Sequence, residues 1–356
     1  MSNPATTDRG GKRAAGIVSA FGTAALGVGA FHAASLPLPW LLGPIFACLV
    51  AALVGLPLRG IGWLNDGMRT ILGVAVGASL TPTVVAGLPA LWATLMLVPV
   101  MTLLIGLVGV PYFRRVCCYD PATAYYAAMP GGLQDMLAFG EEAGGNLRAL
   151  ALIHATRVMV IVVALPFILQ GVWEADLSGA PGAPTATLGA GQLAWMAAAA
   201  LVGWRAAKRL GLPGASILGP LMLAGALSVG GVIQSRPPAE AIWAAQFFIG
   251  MTIGAKYVGI TLGELRRDVL AAVGFCTILI GLTLLFVEPI VLFDLAPGRE
   301  ALLAFAPGGQ AELAVLALVS GADMAFVVAH HLVRLVTVIL GAPFAARRLR
   351  VRAPRD

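Results

Sequence analysis

Two acidic residues each follow a Pro-Gly-Gly triplet in a chain that is otherwise strongly apolar. Asp135 comes shortly after the triplet at residues 130–132, and Glu312 after the triplet at residues 307–309. Proline lacks a backbone N–H and glycine releases the chain from helical geometry, so each triplet predicts a helix break. At membrane depth, broken backbone must line a cavity or be buried in protein, which makes both acids candidates for binding a solute or a proton.

A histidine and an arginine follow each acid at helical spacing. His154 and Arg157 lie three residues apart, as do His331 and Arg334, so each pair occupies one face of a helix. The acids are the natural partners of these bases. Two interpretations are open: a structural ion pair that ties the helix to the triplet, or an anion site with a proton relay. The predicted solute-binding residues are Pro130, Gly131, Gly132, Asp135, His154, Arg157, Pro307, Gly308, Gly309, Glu312, His331 and Arg334.

Composition places the chain in a membrane. Of its 356 residues, 59% are hydrophobic and only 11% are charged, whereas a soluble domain has about 25% charged residues. Residues 86–110 and 271–292 each exceed the roughly 18 apolar residues that indicate a spanning helix. The net charge of +6 comes from basic residues in short loops and at the C-terminus. It therefore indicates membrane orientation, and no segment is long enough to form a nucleic-acid-binding module.

The chain is a tandem duplication. The segment "LPLPWLLGP" (residues 36–44) recurs as "LPGASILGP" (residues 212–220), displaced by 176 residues. The segments "LGVAVGA", "PGGLQD" and "HATRV" recur in the same order as "IGMTIGA", "PGGQAE" and "HLVRL", displaced by 177. Landmarks with near-constant spacing exceed what a general apolar bias produces. The predicted units are a first membrane repeat at residues 1–176, a Gly/Pro-rich linker at 177–189 and a second membrane repeat at 190–356.

Five apolar helices are predicted in each repeat. They span 14–34, 40–57, 66–81, 86–110 and 147–171 in the first repeat, and 190–210, 216–234, 241–258, 268–293 and 324–345 in the second. Asn146 and Asp323 precede the fifth helices and are expected to cap their first turns. The third helix of each repeat carries a Gly-x-x-x-Gly motif, which lets two helices pack closely. The motif residues are Gly73 and Gly77 in the first repeat, and Gly250 and Gly254 in the second.

Loop charge predicts how the triplets sit in the bilayer. If each Pro-Gly-Gly segment enters and leaves on one face, only Arg236 and Arg299 of the basic loop residues fall outside the cytoplasm. If each segment crosses instead, the basic clusters at 205–209 and 266–267 fall outside. The first arrangement gives each repeat an odd number of crossings, which inverts the second repeat. The predicted fold is an all-α polytopic membrane protein with about ten transmembrane helices in two inverted repeats. It has two re-entrant broken segments and both termini in the cytoplasm.

The sequence resembles a known family. The segments "AMPGGLQDM" and "APGGQAEL", each followed by a His/Arg helix, are similar to those of the AbrB-duplication family of bacterial integral membrane proteins. The likeness covers nearly the whole chain, in both copies. The family shares its name with an unrelated soluble DNA-binding regulator, whose fold this sequence does not resemble. Members are labelled ammonia monooxygenase, regulator of gene expression or transporter, so the resemblance implies fold and topology more than chemistry.

These features favour a secondary-transporter-like protein of the bacterial inner membrane that moves a small anionic solute, coupled to protons. Two alternatives are open: a membrane protein that affects regulation of gene expression, or the ammonia monooxygenase (oxidoreductase) activity of the family label. The chain has four histidines and no local H-x-x-x-H pair, so neither a metal site, a cofactor nor catalytic residues are predicted. The expected partners are the lipid bilayer and a small-molecule or ion substrate, without nucleic acid. A homo-oligomer is left open.

Overall fold

The computed structural model describes residues 4–212 and 214–351, except the side chains of residues 4–13, 83–85, 88 and 134. Within these ranges all regular secondary structure is helical, apart from one isolated β-bridge between Ala183 and Pro238. Three residues used in the sequence argument lie outside the described residues: Pro213 of the second repeat, and Arg352 and Arg355 of the basic tail.

The helices follow one another in the same order in the two halves. In the first half they are α1 (Pro4–Ala33), α2 (Pro39–Leu53), α3 (Gly62–Gly77), α4 (Pro82–Gly87), α5 (Trp92–Pro111), α6 (Pro121–Ala128), α7 (Leu133–Glu142) and α8 (Leu147–Trp173). In the second half they are α9 (Ala190–Arg209), α10 (Ala215–Val229), α11 (Ala239–Ala255), α12 (Leu262–Glu264), α13 (Leu270–Leu292), α14 (Gly298–Phe305), α15 (Gln310–Val319) and α16 (Met324–Arg348). Each of the ten helices predicted from the sequence has a counterpart here. Helix α1 begins about ten residues before its predicted start, and the other ends differ by about six residues or fewer.

Helix length divides these elements into two groups. Helices α2, α3, α10 and α11 have 15 to 17 residues. They are about 22–26 Å long, shorter than a hydrocarbon core of about 30 Å. The chain is therefore an all-helical protein of membrane type, and ten crossings would need these shorter helices as well. Among the described residues, five segments are long and apolar enough to cross a membrane: Ala14–Ala33, Pro89–Val116, Leu147–Trp173, Leu262–Leu292 and Met324–Arg348.

The two long helices that follow the broken segments begin at side-chain caps, as predicted. The Asn146 side chain accepts a hydrogen bond of 3.0 Å from the backbone N–H of Ala149, in the first turn of α8. The Asp323 side chain accepts from Ala325 at 2.8 Å, in the first turn of α16. Each cap satisfies a backbone donor that a helix start leaves without an intrahelical partner, so both helices start at a defined residue.

The third helix of each half packs against the second helix of the other half. A Cβ added at Gly73 or Gly77 would lie 2.5 Å from a backbone oxygen of α10, so the helices touch backbone to backbone, as small residues allow. This crossed packing joins the two halves at two equivalent places. The contacts are Gly73 on Ile217 and Gly77 on Leu221 between α3 and α10, and Gly250 on Leu41 and Gly254 on Ile45 between α11 and α2.

Of the four hydrophobic clusters among the described residues, α8 and α16 both contribute to the two largest. The C-terminal part of α8 lies in the first cluster and its N-terminal part in the second. Helix α16 has the opposite order. Val327 and Val328 near its start belong to the first cluster, and Ala342 and Ala346 near its end belong to the second. These equivalent helices therefore run through the pair of clusters in opposite directions.

Candidate functional site

Both Pro-Gly-Gly triplets interrupt a helix, as the sequence predicts. Helix α6 ends at Ala128 and α7 begins at Leu133, so four residues between them are non-helical. The same gap separates α14, which ends at Phe305, from α15, which begins at Gln310. The proline of each gap has no N–H to donate to the preceding turn. Each triplet therefore joins a helix of 8 residues to one of 10 residues.

The glycines of the triplets are required for space and not for unusual backbone angles. None of the four has a positive φ, although Gly132 and Gly309 leave helical geometry for extended backbone. A Cβ on Gly131 would lie 2.9 Å from Val338 Cγ1 of α16, and one on Gly308 would lie 3.0 Å from Ile161 Cγ2 of α8. Ile161 and Val338 are equivalent positions of the repeat. Each triplet thus presses against the long helix of the other half.

Each broken segment folds back to the end where it began. Near the start of α6, Thr123 Oγ1 accepts a hydrogen bond of 2.7 Å from the backbone N–H of Asn146, which follows α7. In the second half, Arg299 Nη1 at the start of α14 donates to the Ser320 carbonyl after α15, at 2.8 Å. We call residues 121–142 the first hairpin and residues 298–319 the second hairpin. The Pro-Gly-Gly gap is the tip of each.

A buried arginine from the following long helix holds each tip. Arg157 of α8 is 2% exposed and donates through Nη1 and Nη2 to the carbonyl oxygens of Met129 and Gly131, both at 2.9 Å. Arg334 of α16 donates through Nη1 to the Ala306 carbonyl at 2.7 Å. The carbonyl end of a helix attracts positive charge. The two arginines therefore satisfy backbone acceptors that the helix breaks leave open.

The histidines bind carbonyl oxygens one turn earlier. His154 Nε2 lies 3.0 Å from the Tyr126 carbonyl oxygen, and His331 Nε2 lies 3.0 Å from the Leu303 carbonyl oxygen. Because a carbonyl oxygen only accepts, Nε2 of each ring carries a proton. Both histidines are buried. Their hydrogen bonds hold α6 against α8 and α14 against α16.

The two acids do not pair with these arginines, in contrast to the partners expected from the sequence. Among the described residues, no ion pair joins Asp135 or Glu312 to Arg157 or Arg334. Each acid lies in the first turn of the helix that follows the tip, where the helix dipole favours a carboxylate. Asp135 is half-buried, whereas Glu312 is 2% exposed. The two hairpins therefore place equivalent acids in different surroundings.

Glu312 lies beside one basic side chain, and near a second, that the predicted site did not include. Its Oε1 lies 3.7 Å from Nη2 of Arg69 on α3. Lys256, which follows α11 directly, interacts electrostatically with both Arg69 and Glu312. Arg69 belongs to the first half of the chain, and Lys256 and Glu312 belong to the second. We call these three residues the inter-repeat cluster.

A charge inside an apolar helix was the signal that would have revealed this cluster. Arg69 lies one turn before Gly73, and Lys256 lies two residues after Gly254. Ionisable residues in such segments are costly and usually mark functional positions. Because the Gly-x-x-x-Gly motifs favour helix packing, neither residue is among those predicted to bind the solute.

The described residues contain no group of three or more His, Cys, Asp or Glu side chains close enough to hold a metal ion together. A copper or iron site would need such a group. His154 and His331 bind the backbones of separate hairpins. The cysteines are free thiols at Cys48, Cys117, Cys118 and Cys276.

Two cavities lie beside the hairpins. One, of about 600 Å³, is an apolar cleft between α5, α6 and α16 that reaches Met129 at the first tip. The other, of about 340 Å³, is lined by the stacked rings of Trp40 and Trp243 and by Gln246. Gln246 occupies the position equivalent to Arg69, and its buried amide nitrogen has no hydrogen-bond partner among the described residues. Neither cavity is lined by a hairpin acid.

Comparison with known proteins covers most of the chain. A family model described as "Transition state regulatory protein AbrB" matches residues 40–350. The chain is 27% identical over 330 residues to "Uncharacterized protein YhjN" of Bacillus subtilis (strain 168), covering 85% of each chain. It is 26% identical over 333 residues to "Putative regulator AbrB" of Escherichia coli (strain K12), covering 91% of this chain and 94% of the relative. With the match extending from α2 through both hairpins to the end of α16, the chain belongs to the AbrB family.

Proposed function

We propose that this protein is a secondary transporter that moves a small anionic solute across the bacterial inner membrane. The observation that carries the proposal is the pair of broken hairpins at equivalent positions, each with an acid in the turn after its tip. Secondary transporters bind substrates and coupling ions where discontinuous helices meet near the bilayer midplane. A non-helical backbone is stable at membrane depth only when other protein groups bind its free N–H and C=O groups. Arg157 and Arg334 bind such carbonyl groups here.

In this proposal the chain forms two inverted repeats of five crossings each. Two contacts between the halves favour five crossings over six. The Tyr119 hydroxyl bonds Asp268, and Arg236 Nε donates to Ser79 Oγ at 3.2 Å. With five crossings both residues of each pair fall on one side of the membrane. With six crossings each pair would be divided between opposite sides, where no contact is possible.

Inverted repeats would bring the two hairpins in from opposite faces, the first from the cytoplasm. Helix α15 is buried along nearly its whole length, whereas α7 buries few side chains. This difference supports a conformation that is open at the first hairpin and closed at the second. Rocking of one repeat against the other would then alternate access. An anion that competes for the base beside Glu312 would leave that acid free to take a proton. The movement of the anion would thereby be coupled to the movement of a proton.

Uptake into proteoliposomes tests the proposal. The full-length protein is presented with radiolabelled formate, acetate, lactate, succinate and inorganic phosphate, with and without an inward proton gradient. We expect uptake of at least one anion above that of protein-free vesicles, and an increase with the gradient. Uptake should fall about tenfold in Gly131→Leu, because the new side chain would overlap Met136 and Val338.

A matched variant controls for the size of the new side chain. Gly171 lies near the end of α8, and no atom approaches the position of an added Cβ within 4 Å. Gly171→Leu should therefore retain the uptake of the unmodified protein. Folded protein that takes up none of the five anions would contradict anion transport.

A role in regulation is the second candidate, because the Escherichia coli relative is named as a regulator. A membrane protein could affect gene expression through a partner that binds its loops. A deletion strain distinguishes the two roles. Altered transcript levels with unchanged uptake of the five anions would favour regulation over transport.

A further inference from the structure

The inter-repeat cluster carries more positive than negative charge. Arg69 and Lys256 supply two cations, and Glu312 supplies one carboxylate, in the first turn of α15. Asp66, three residues before Arg69 on α3, forms no ion pair with the cluster among the described contacts. Charge in a mainly apolar protein is costly unless it is paired. The cluster therefore favours the binding of one further negative charge.

The hydrogen-bonding capacity of the cluster is also incomplete. The distance of 3.7 Å between Arg69 and Glu312 is longer than a charge-assisted hydrogen bond of about 2.7–2.9 Å. Arg69 Nε is buried without a hydrogen-bond partner among the described residues, and so is Oδ1 of Asn65, one turn earlier on α3. The Lys256 side chain forms no hydrogen bond or ion pair with the described part of the chain. Arg69 Nε and the Lys256 ammonium are therefore donors free to bind a ligand, whereas Asn65 Oδ1 can only accept.

The cluster is accessible from one side. The Arg69 side chain is 29% exposed, whereas Glu312 is 2% exposed. A small solute could therefore reach the guanidinium without unfolding the second hairpin. Glu312 forms the closed end of the site.

Only one of the two repeats provides these bases. The positions equivalent to Arg69 and Lys256 are Gln246 and Ser79, which are uncharged. By contrast, the histidine and arginine that hold each hairpin occur in both halves with the same 28-residue spacing to their carbonyl partners. The inter-repeat cluster is therefore not part of the duplicated framework, which separates it from the structural arginines.

We propose that Arg69 and Lys256 bind the carboxylate of a small monoanionic solute beside Glu312. This inference rests on the proposed transport function and names its binding site. The planar guanidinium of Arg69 can donate two parallel hydrogen bonds to a carboxylate, and the Lys256 ammonium adds a second positive charge. While Glu312 is ionised, one negative charge balances the cluster, whereas a dianion would leave a net negative charge next to Glu312.

Binding of three probe anions to the full-length protein in lipid nanodiscs tests this site. The unfolding midpoint is measured against the concentration of acetate, succinate or inorganic phosphate at fixed pH, and an apparent Kd is derived. We expect acetate to bind at least about tenfold more tightly than the other two. Arg69→Gln and Lys256→Gln should each weaken acetate binding about tenfold or more, a loss typical of removing one charge-assisted contact.

Two further variants keep the result interpretable. Lys256→Arg preserves the charge and should keep acetate affinity within about threefold. Arg236→Gln removes a cation from a contact with Ser79 away from the cluster, and it should leave acetate affinity unchanged. If Arg69→Gln does not fold, the acetate affinity of Lys256→Gln alone decides whether the proposed site is correct. The Lys256 side chain makes no described contact that the fold requires.

The outcomes separate this inference from the proposed function. If acetate binds and uptake occurs, but affinity is unchanged in both glutamine variants, the site is wrong and transport stands. Tighter binding of succinate than of acetate would overturn the monoanion assignment, and tighter binding of phosphate than of acetate would overturn the carboxylate assignment. If no anion binds and none is taken up, both the site and the transport proposal are wrong.

Discussion

Arg157 is a buried cation whose charge is balanced by backbone carbonyls and not by a carboxylate. Replacing it with methionine should destabilise the protein by about 3 kcal/mol, because two carbonyl oxygens lose charged donors in an apolar interior. Unfolding in denaturant, with the full-length protein in detergent, measures this loss. Asp135→Asn should have a much smaller effect, because Asp135 has no ion-pair partner among the described residues.

The double variant distinguishes this arrangement from a structural ion pair. If Arg157 and Asp135 were partners, neutralising both would recover much of the stability lost in Arg157→Met. Since they are not, we expect the two effects to add within about 0.5 kcal/mol. A double variant clearly more stable than Arg157→Met alone would mean that the pair forms in the membrane.

At the level of helices, the stability of the protein depends on the close approach of α3 to α10 and of α11 to α2. Gly77→Ala should destabilise by about 1–3 kcal/mol, because the new methyl group would lie 2.5 Å from the Leu221 oxygen, which belongs to a helix backbone and cannot rotate away. The same denaturant measurement applies.

The same helix supplies the control. Gly67 of α3 has no atom within 4 Å of an added Cβ, so Gly67→Ala should be neutral or stabilising by about 0.5–1 kcal/mol, through helix propensity. Equal effects of the two substitutions would show that close helix contact at Gly77 contributes nothing.

At the level of the whole molecule, the inverted arrangement predicts on which side of the membrane each loop lies. In a variant without its four native cysteines, a cysteine at Ser178 in the linker should react with an impermeant thiol reagent from outside. A cysteine at Arg266 should react only after the inner side is opened. The reason is the odd number of crossings in each repeat, with basic loops on the cytoplasmic side. Labelling of both positions from the same side would rule out inverted repeats.

The sequence alone determined the features that depend on local chemistry. The helix breaks follow from a proline without an N–H and from the glycines beside it. The helix starts follow from Asn146 and Asp323, whose side chains reach N–H groups two or three residues away. The length and apolar composition of the long helices likewise follow from the order of residues along the chain. None of these features requires knowledge of which helices are neighbours.

Tertiary structure decided which groups share a partner. From the sequence, Asp135 was the expected partner of Arg157, but the bend of the first hairpin brings the Met129 and Gly131 carbonyls to that guanidinium. Arg69 and Glu312 are more than 200 residues apart in the chain, and they meet because α15 packs beside α3. Charge attraction acts between any acid and any base at short range, so the sequence can identify the charges but not the pairs. The pairs are chosen by helix packing, which depends on contacts that residues at distant chain positions make only in the folded protein.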